Sequence, residues 1–270
     1  MPATRLRRPR RYLTCEPRFF DVRYTINPWM REDAPVDTAL ALRQWHTLVD
    51  AYRAHGHTVD TVPPVPGLPD MVFAANAALV LDGRVLGSRF LAPQRQPESA
   101  AYELWFKSAG FDVHAPRAVC EGEGDLVPVG GLLLAGTGFR TAPAAHAEAQ
   151  ELFGVPTVGL RLTDPLFYHL DTALFALDDE NVAYYPGAFS AGSRAVLARL
   201  FPDAVLATEA DAMAFGLNSV SDGRHVFIDP HADGLVAELG RRGYVPVPVD
   251  LSELRKAGGG IKCCTQEVRS

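Results

Sequence analysis

A repeated spacing constrains this chain more than any other feature. Asp82-Gly83, Gly130-Gly131, Asp178-Asp179 and Asp222-Gly223 each sit between two short apolar runs, and successive pairs begin 48, 48 and 44 residues apart. The flanks read AALVL and RVLGS, DLVPV and LLLAG, ALFAL and NVAYY, and NSVS and RHVFI. A tight turn between two such runs predicts a β-hairpin. Each hairpin is followed by a helical segment, Glu98 to Ala109, Ala144 to Phe153, Gly192 to Leu200 and Asp233 to Arg242, the last with Gly240 read as a C-cap. A short β-like run closes each unit: FDVHA, PTVGLRL, AVLAT and YVPVPV. A fifth unit comes in pieces, with RYLTC and FFDVRY as strands, Val36 to Gly56 as a long helix, HTVDTV as the closing strand and the C-terminal GGIKCCTQEV pairing back onto the start.

No such unit can bury its faces alone, so five of them are expected to stack about a pseudo-fivefold axis into one closed α/β domain over residues 1–270. The alternative, a doubly wound parallel sheet, fits less well. Each unit carries a hairpin as well as a crossover, and no G-x-G-x-x-G opens a helix after the first strand; the nearest match, EGEGD at 121–125, runs into β-like residues.

Charge and composition narrow the function classes. With 26 Lys+Arg against 32 Asp+Glu the net charge is -6, which leaves no cationic excess to follow a phosphate backbone, and nucleic acid is not expected as a partner. No apolar run approaches the roughly 18 to 20 residues that span a bilayer, so no membrane association is expected. Arg5, Arg7, Arg8, Arg10 and Arg11 crowd the start, but polar Thr14-Cys15-Glu16-Pro17 follows in place of the apolar core of a secretory signal; a solvated arm and a cytoplasmic location are the expectation. Cys15, Cys120, Cys263 and Cys264 are too few and too scattered for a disulfide framework and read as free thiols, with Cys15 and Cys120 as small buried hydrophobes. His55 and His57 read as a solvated turn, and homo-oligomer formation is left open.

Phosphate-binding, zinc-protease and nucleophile-elbow motifs are absent. Polar residues instead cluster where the repeat places strand starts and post-strand loops: PDMVFAAN (69–76), EGEGD (121–125), GFRT (138–141), FYHLDT (167–172), FGLNS (215–219) and GGGIKCCT (258–265). In their order, one per repeat, these segments resemble the pentein superfamily of guanidino-group modifying enzymes, which includes arginine deiminase, dimethylarginine dimethylaminohydrolase, arginine dihydrolase and the amidinotransferases.

The resemblance implies a five-bladed α/β propeller that needs no metal or organic cofactor and takes a small guanidino substrate, arginine or a methylarginine. It places the cysteine nucleophile on Cys263, the histidine on His169, and the guanidinium-holding aspartate on Asp171. The family's acidic residue falls on Glu121, with Glu123 as the alternate because EGEGD carries one extra residue. Asn76 stands where an aspartate is usual, as in arginine dihydrolase-like members, while Asp70 is kept. Arg140 matches the α-carboxylate anchor, Arg89 and Arg95 are candidate helpers, and Asn218 is a candidate for binding substrate or the cysteine loop, with the capping of its own turn as an equal alternative.

The chemistry asks for these residue types. A guanidinium is a delocalised cation whose carbon resists nucleophiles, so carboxylates must hold it and something stronger than water must attack it. A thiol titrating near 8.5 needs help to ionise at neutral pH, and a histidine can protonate the departing amine and then activate water. The expected activity is therefore hydrolysis of C–N bonds at the guanidino carbon through a thiouronium intermediate, arginine dihydrolase or deiminase type favoured. Dimethylargininase is the alternative, with an amidinotransferase or a non-catalytic binding protein of the same fold behind it.

Overall fold

The computed structural model describes residues 5–269, and within them the repeat takes the form of five three-stranded sheets. The chain starts with β1 (Arg11–Cys15), α1 (Thr38–Ala54) and β2 (Thr58–Val62). The second unit is β3 (Ala78–Leu81), β4 (Arg84–Gly87), α2 (Glu98–Ser108) and β5 (Asp112–His114); the third is β6 (Leu126–Val129), β7 (Leu132–Thr137), α3 (Pro143–Phe153) and β8 (Thr157–Arg161). The fourth is β9 (Leu174–Ala176), β10 (Val182–Tyr184), α4 (Ala191–Leu200) and β11 (Val205–Leu206). A short α5 (Glu209–Met213) leads into the fifth, β12 (Val220–Ser221), β13 (His225–Ile228), α6 (Asp233–Arg241) and β14 (Val245–Pro248). Then come α7 (Ser252–Arg255) and β15 (Gln266–Glu267).

In the last four of these units the first two strands pair antiparallel and the third joins the second in parallel across the helix. The first unit is completed by the chain's other end: β15 lies antiparallel to β1, with Tyr12 opposite Glu267, and β1 is parallel to β2. The two termini thus close one blade. At Asp82-Gly83 both residues have positive φ, 49° and 74°, the turn geometry whose twist matches a two-residue hairpin. The core is distributed between units. Ala145, Ala149 and Phe153 of α3 pack with Leu133 of their own sheet and with Leu79 and Leu86 of the preceding one, so each sheet finishes its neighbour's core.

Several local expectations are corrected. FFDVRY forms no strand: residues 16–37 are irregular. GGIKCCTQEV is extended only at Gln266–Glu267, because Gly258 takes φ +82° and residues 261–264 turn, with Cys264 N–H donating to Gly260 O at 3.1 Å. Asp171 lies in a one-turn 3-10 helix, Leu170–Thr172, that His169 caps. Gly240 is inside α6, whose end is marked by Gly243 at φ +84°. His57 is buried, accepting from Arg10 N–H at 3.1 Å and lying 3.3 Å from Asp222. The arginine arm is only partly solvated: Arg5 pairs with Asp178 at 2.9 Å and lies over the Tyr244 ring, although Arg8 stays exposed.

Candidate active site

The carboxylate, amide, histidine and cysteine residues of interest sit in tight turns immediately before the first strand of each sheet, and Arg89, Arg95 and Arg140 in the loops after β4 and β7. Pro69–Val72 and Ala74–Ala77 precede β3, Gly122–Gly124 precedes β6, Leu170–Thr172 precedes β9, residues 214–218 precede β12 and residues 261–264 precede β15. The first strands also line a cavity of about 180 Å³ along the axis, which puts the turns at one end of it. Close packing between turns explains their glycines. Gly122 has φ +52°, and a Cβ there would lie 2.6 Å from Ala78 N; a Cβ on Gly124 would strike the Asn76 amide at 2.3 Å and press on the His169 ring.

Cys263 is fully buried, and its thiol donates to Asp171 Oδ2 at 3.2 Å while accepting from Asn218 Nδ2 at 3.1 Å. Burial, then the charge of Asp171 and the hydrogen bond to it, push the thiol well above its ordinary pKa, so the resting sulfur carries its proton. Burial also lifts Asp171 to about 6, against the opposing pull of His169, Lys262 and the thiol. Cys264 is buried in an apolar cluster with Tyr12, Leu48 and Tyr52.

Glu121 is fully buried and meets His169 Nε2 at 2.7 Å and Arg140 at 3.1 Å through the same oxygen; its other oxygen accepts from Leu91 N–H. Burial alone would raise its pKa, but the hydrogen bond and charge of His169, with Arg140 and Arg95, bring it to about 2. Glu123, two residues along a turn, faces elsewhere: it takes Lys262 at 2.6 Å and also pairs with Arg269, and these cations hold its pKa down against burial. The two glutamates of EGEGD thus have separate partners.

Arg95 is buried, grips Glu98 with two hydrogen bonds and donates to Asn76 Oδ1 at 2.7 Å and to Asp70 O at 3.2 Å. Asp70 accepts from Tyr24 OH at 2.9 Å. Arg140 donates to Ile26 O at 2.7 Å and lies over the Tyr168 ring. Arg89 is exposed and its guanidinium donates to Arg117 O, while its backbone pairs with Cys120 next to Glu121. Asn218 has its amide on the cysteine loop.

Three contributors escaped the sequence reading. Asp125 anchors the His169 turn by accepting from Leu170 N–H at 3.0 Å and Thr141 N–H at 3.1 Å. Tyr168 donates to Gly258 O at 2.7 Å. Residues 20–34 cover the site: Tyr24 reaches Asp70, Asn27 donates to Ala257 O, and Trp29 Nε1 donates to Leu166 O. The signal available was the aperiodic, aromatic YTINPWM, which fits neither strand nor helix spacing. Beneath this cover lies a cavity of only about 10 Å³, lined by Asp70, Asn76, Arg140 and Cys263 among others, which is room for about one water.

Four buried polar atoms here lack a hydrogen-bond partner: Asp70 Oδ1, Asn76 Nδ2, His169 Nδ1 and Asp171 Oδ1. Buried polar atoms are normally satisfied, and these four lie beside the thiol, free to bond a polar ligand; a second group of unpartnered atoms, Arg10 Nε, Tyr12 OH, His57 Nε2 and Gln266 Oε1, lies in the first blade. Among the described residues no group of His, Cys, Asp and Glu is arranged to hold a metal ion. The chemistry available is a thiol nucleophile, a histidine with a carboxylate partner, and carboxylates suited to a cation.

Five α/β blades with such turns at one end of their axis define a pentein-fold protein. No family model matches the chain. It is 50% identical over 267 residues to the N(G),N(G)-dimethylarginine dimethylaminohydrolase of Mycobacterium tuberculosis, covering 99% of this chain and 88% of that one. It is 38% identical to the bifunctional arginine dihydrolase/ornithine cyclodeaminase AgrE of Nostoc, covering 96% of this chain but 38% of AgrE. Among solved structures, the N-terminal domain of the cyanobacterial arginine dihydrolase ArgZ superposes with a TM-score of 0.93 at 36% identity, covering 97% of this chain and 98% of that one; it has been seen with substrate in a cysteine-to-serine variant and with a covalently bound reaction intermediate in an asparagine-to-serine variant. The chain belongs to this family of dimethylarginine dimethylaminohydrolases and arginine dihydrolases, hydrolases of C–N bonds in guanidino compounds.

Proposed function

We propose that the protein hydrolyses arginine at its guanidino carbon through Cys263 and carries the product on to ornithine. The observation that carries this reading is the set of unpartnered atoms. Asp70 Oδ1 and Asp171 Oδ1 are free acceptors for guanidinium N–H groups, and Asn76 Nδ2 is a free donor for a ureido oxygen. A pocket that offers both suits a substrate that begins as a cation and becomes a neutral ureido group.

In this reading the arriving guanidinium offsets the charge of Asp171 and favours loss of the Cys263 proton. The thiolate adds to the guanidino carbon, His169 protonates a departing ammonia, and the carbon stays on sulfur as a thiouronium. His169, steadied by Glu121, then takes a proton from water, whose oxygen adds to the carbon as the C–S bond breaks and the thiolate leaves. A second hydrolysis at the ureido carbon completes the balance: arginine and two waters give ornithine, two ammonia and carbon dioxide. Arg140 anchors the substrate's α-carboxylate once it leaves Glu121 and Ile26, and Arg95 holds Asn76 by its oxygen so that the amide donor faces inward.

A second reading, hydrolysis of asymmetric dimethylarginine to citrulline and dimethylamine, is favoured by one observation, the name carried by the 50%-identical mycobacterial relative. The test is to incubate purified protein separately with arginine and with asymmetric dimethylarginine and to measure citrulline, ornithine, ammonia and dimethylamine. Ornithine and ammonia from arginine are expected. Dimethylamine release with arginine untouched would reject arginine and establish the second reading.

A further inference from the structure

We propose that Asn218 is the positioning residue of the nucleophile: it fixes the cysteine turn through its carbonyl and stabilises the Cys263 thiolate through its amide N–H, without contacting substrate. This rests on the reading of Cys263 as nucleophile. All four hydrogen bonds of the Asn218 side chain are internal. Oδ1 accepts from Gly260 N–H at 3.0 Å and Cys263 N–H at 3.1 Å, while Nδ2 donates to Asp171 O at 3.0 Å and to Cys263 Sγ at 3.1 Å. The amide orientation is determined by this pattern, since a flip would set the NH₂ group against two backbone N–H donors and the oxygen against a carbonyl. With both ends saturated, nothing of the amide is left for a ligand.

The sulfur's surroundings show why a neutral donor is needed. Its other side-chain partner is Asp171, and Tyr168 and Cys264 also lie close enough to interact electrostatically with Asp171 or with the sulfur; each of the three is anionic when ionised. Those groups favour the thiol, while the Gly260 backbone N–H beside the sulfur works the other way and His169 and Lys262 face Asp171 as cations when protonated. Asn218 favours the thiolate, because a hydrogen bond to a charged acceptor is stronger than one to a neutral acceptor. Unlike a lysine in that place, it adds no positive charge to repel a guanidinium. The same side chain ties together three blades' turns: its own before β12, the Asp171 turn before β9 and the cysteine turn before β15.

The test separates the two halves of the amide. Asn218→Asp keeps an acceptor for Gly260 and Cys263, loses the donor to sulfur and adds a negative charge beside it; Asn218→Ala loses both halves without adding charge, so its alkylation profile is the one that reads the lost donor. Three quantities are read: kcat and KM on the substrate identified above, and the pH profile of Cys263 alkylation by iodoacetamide, with the site of modification identified by peptide mass. For Asn218→Asp we expect kcat to fall about 10- to 100-fold with KM changed less than about threefold, and the midpoint of the alkylation profile to rise by about one pH unit or more. Asn218→Ala should move the profile in the same direction. An impaired Asn218→Ala variant with a wild-type profile would overturn the thiolate role and leave only a clamp. A raised KM with unchanged kcat would overturn the proposal in favour of substrate contact. Undiminished turnover in Cys263→Ser is a separate result, which defeats the nucleophile reading itself.

Discussion

The two buried glutamates of EGEGD differ in what surrounds them. Glu123, in the wall of the axial cavity, has two cations for one carboxylate and leaves neither oxygen idle. Glu121, in the turn cluster, shares one oxygen between His169 and Arg140 while neighbouring Asp70, Asn76, His169 and Asp171 each leave an atom unpartnered. Both glutamates are held below the ordinary pKa and both are fully buried, so burial and titration alone do not distinguish them. What differs is the company each carboxylate keeps: free carboxylate, amide and imidazole atoms surround Glu121, whereas both oxygens of Glu123 are taken, although Arg10 Nε and Tyr12 OH in the same cavity wall are also unpartnered. A finished network stabilises the ring, whereas the unfinished one costs stability that a ligand can restore.

The largest expected effect falls on the adjacent thiols. Cys263→Ser should abolish turnover, and Cys264→Ser should retain most of it, because Cys264 packs among apolar side chains while Cys263 bonds Asp171. A dead Cys264→Ser with an active Cys263→Ser would reverse the assignment. Next come the glutamates. Glu121→Gln should lower kcat/KM by roughly two to four orders of magnitude, since loss of a buried charge partner costs on the order of 3 to 5 kcal/mol and 1.4 kcal/mol is tenfold. Glu123→Gln should instead lower the unfolding free energy by about the same 3 to 5 kcal/mol, read by urea titration, with kcat/KM held within about tenfold. If the catalytic loss followed Glu123, the contrast between finished and unfinished networks would fail.

A subtler change probes substrate. Asn76→Asp removes the neutral donor facing the site, so turnover of arginine should stall at citrulline, with the ornithine-to-citrulline ratio dropping at least about tenfold in product analysis. An unaltered ratio would show that Asn76 does not hold the ureido group.

The repeat was readable because turn chemistry is local. Asp82-Gly83 and Gly130-Gly131 announce hairpins from two residues each, and the spacing of four such signals implies closure. The extra residue in EGEGD left Glu121 and Glu123 open, because the direction of a side chain in a 3-10 turn depends on contacts from other blades, here Gly124 against Asn76 and His169. His169–Asp171 and Cys263–Cys264 both lie in turns, where strand periodicity says nothing about which side chain faces the site. The cover formed by residues 20–34 was misread in part as a strand, since FFDVRY has strand composition but its side chains are held by a turn distant in sequence, Tyr24 by Asp70 and Phe20 edge-on to Phe73. Arg89 and Arg95, six residues apart, carry no sequence signal to separate them; the structure buries Arg95 against Asn76 and leaves Arg89 exposed.

The smallest effect concerns stability against pH, and it sets the two clusters against each other once more. Near Asn76, Arg95 is shared by Glu98 and Asp70, one cation for two buried carboxylates; around Glu123 the ratio is reversed. Burial lifts Glu98 to about 7 even though Arg95 pulls it down, and Asp70 is raised as well. A carboxyl whose folded pKa exceeds its unfolded value binds its proton more tightly when folded, so its contribution is complete below the unfolded pKa near 4.5 and is lost as pH rises through about 7. Glu123, held low, acts in the opposite sense: its contribution is present above that unfolded value and is lost as acid protonates it. Glu98→Gln removes the first dependence. The Tm difference between wild type and Glu98→Gln should therefore move in favour of the variant between pH 5 and about 7.5, while the acid-side loss stays as it was. A difference that is flat across this range would place the shared proton on Asp70, and Asp70→Asn would then be the variant that flattens the profile.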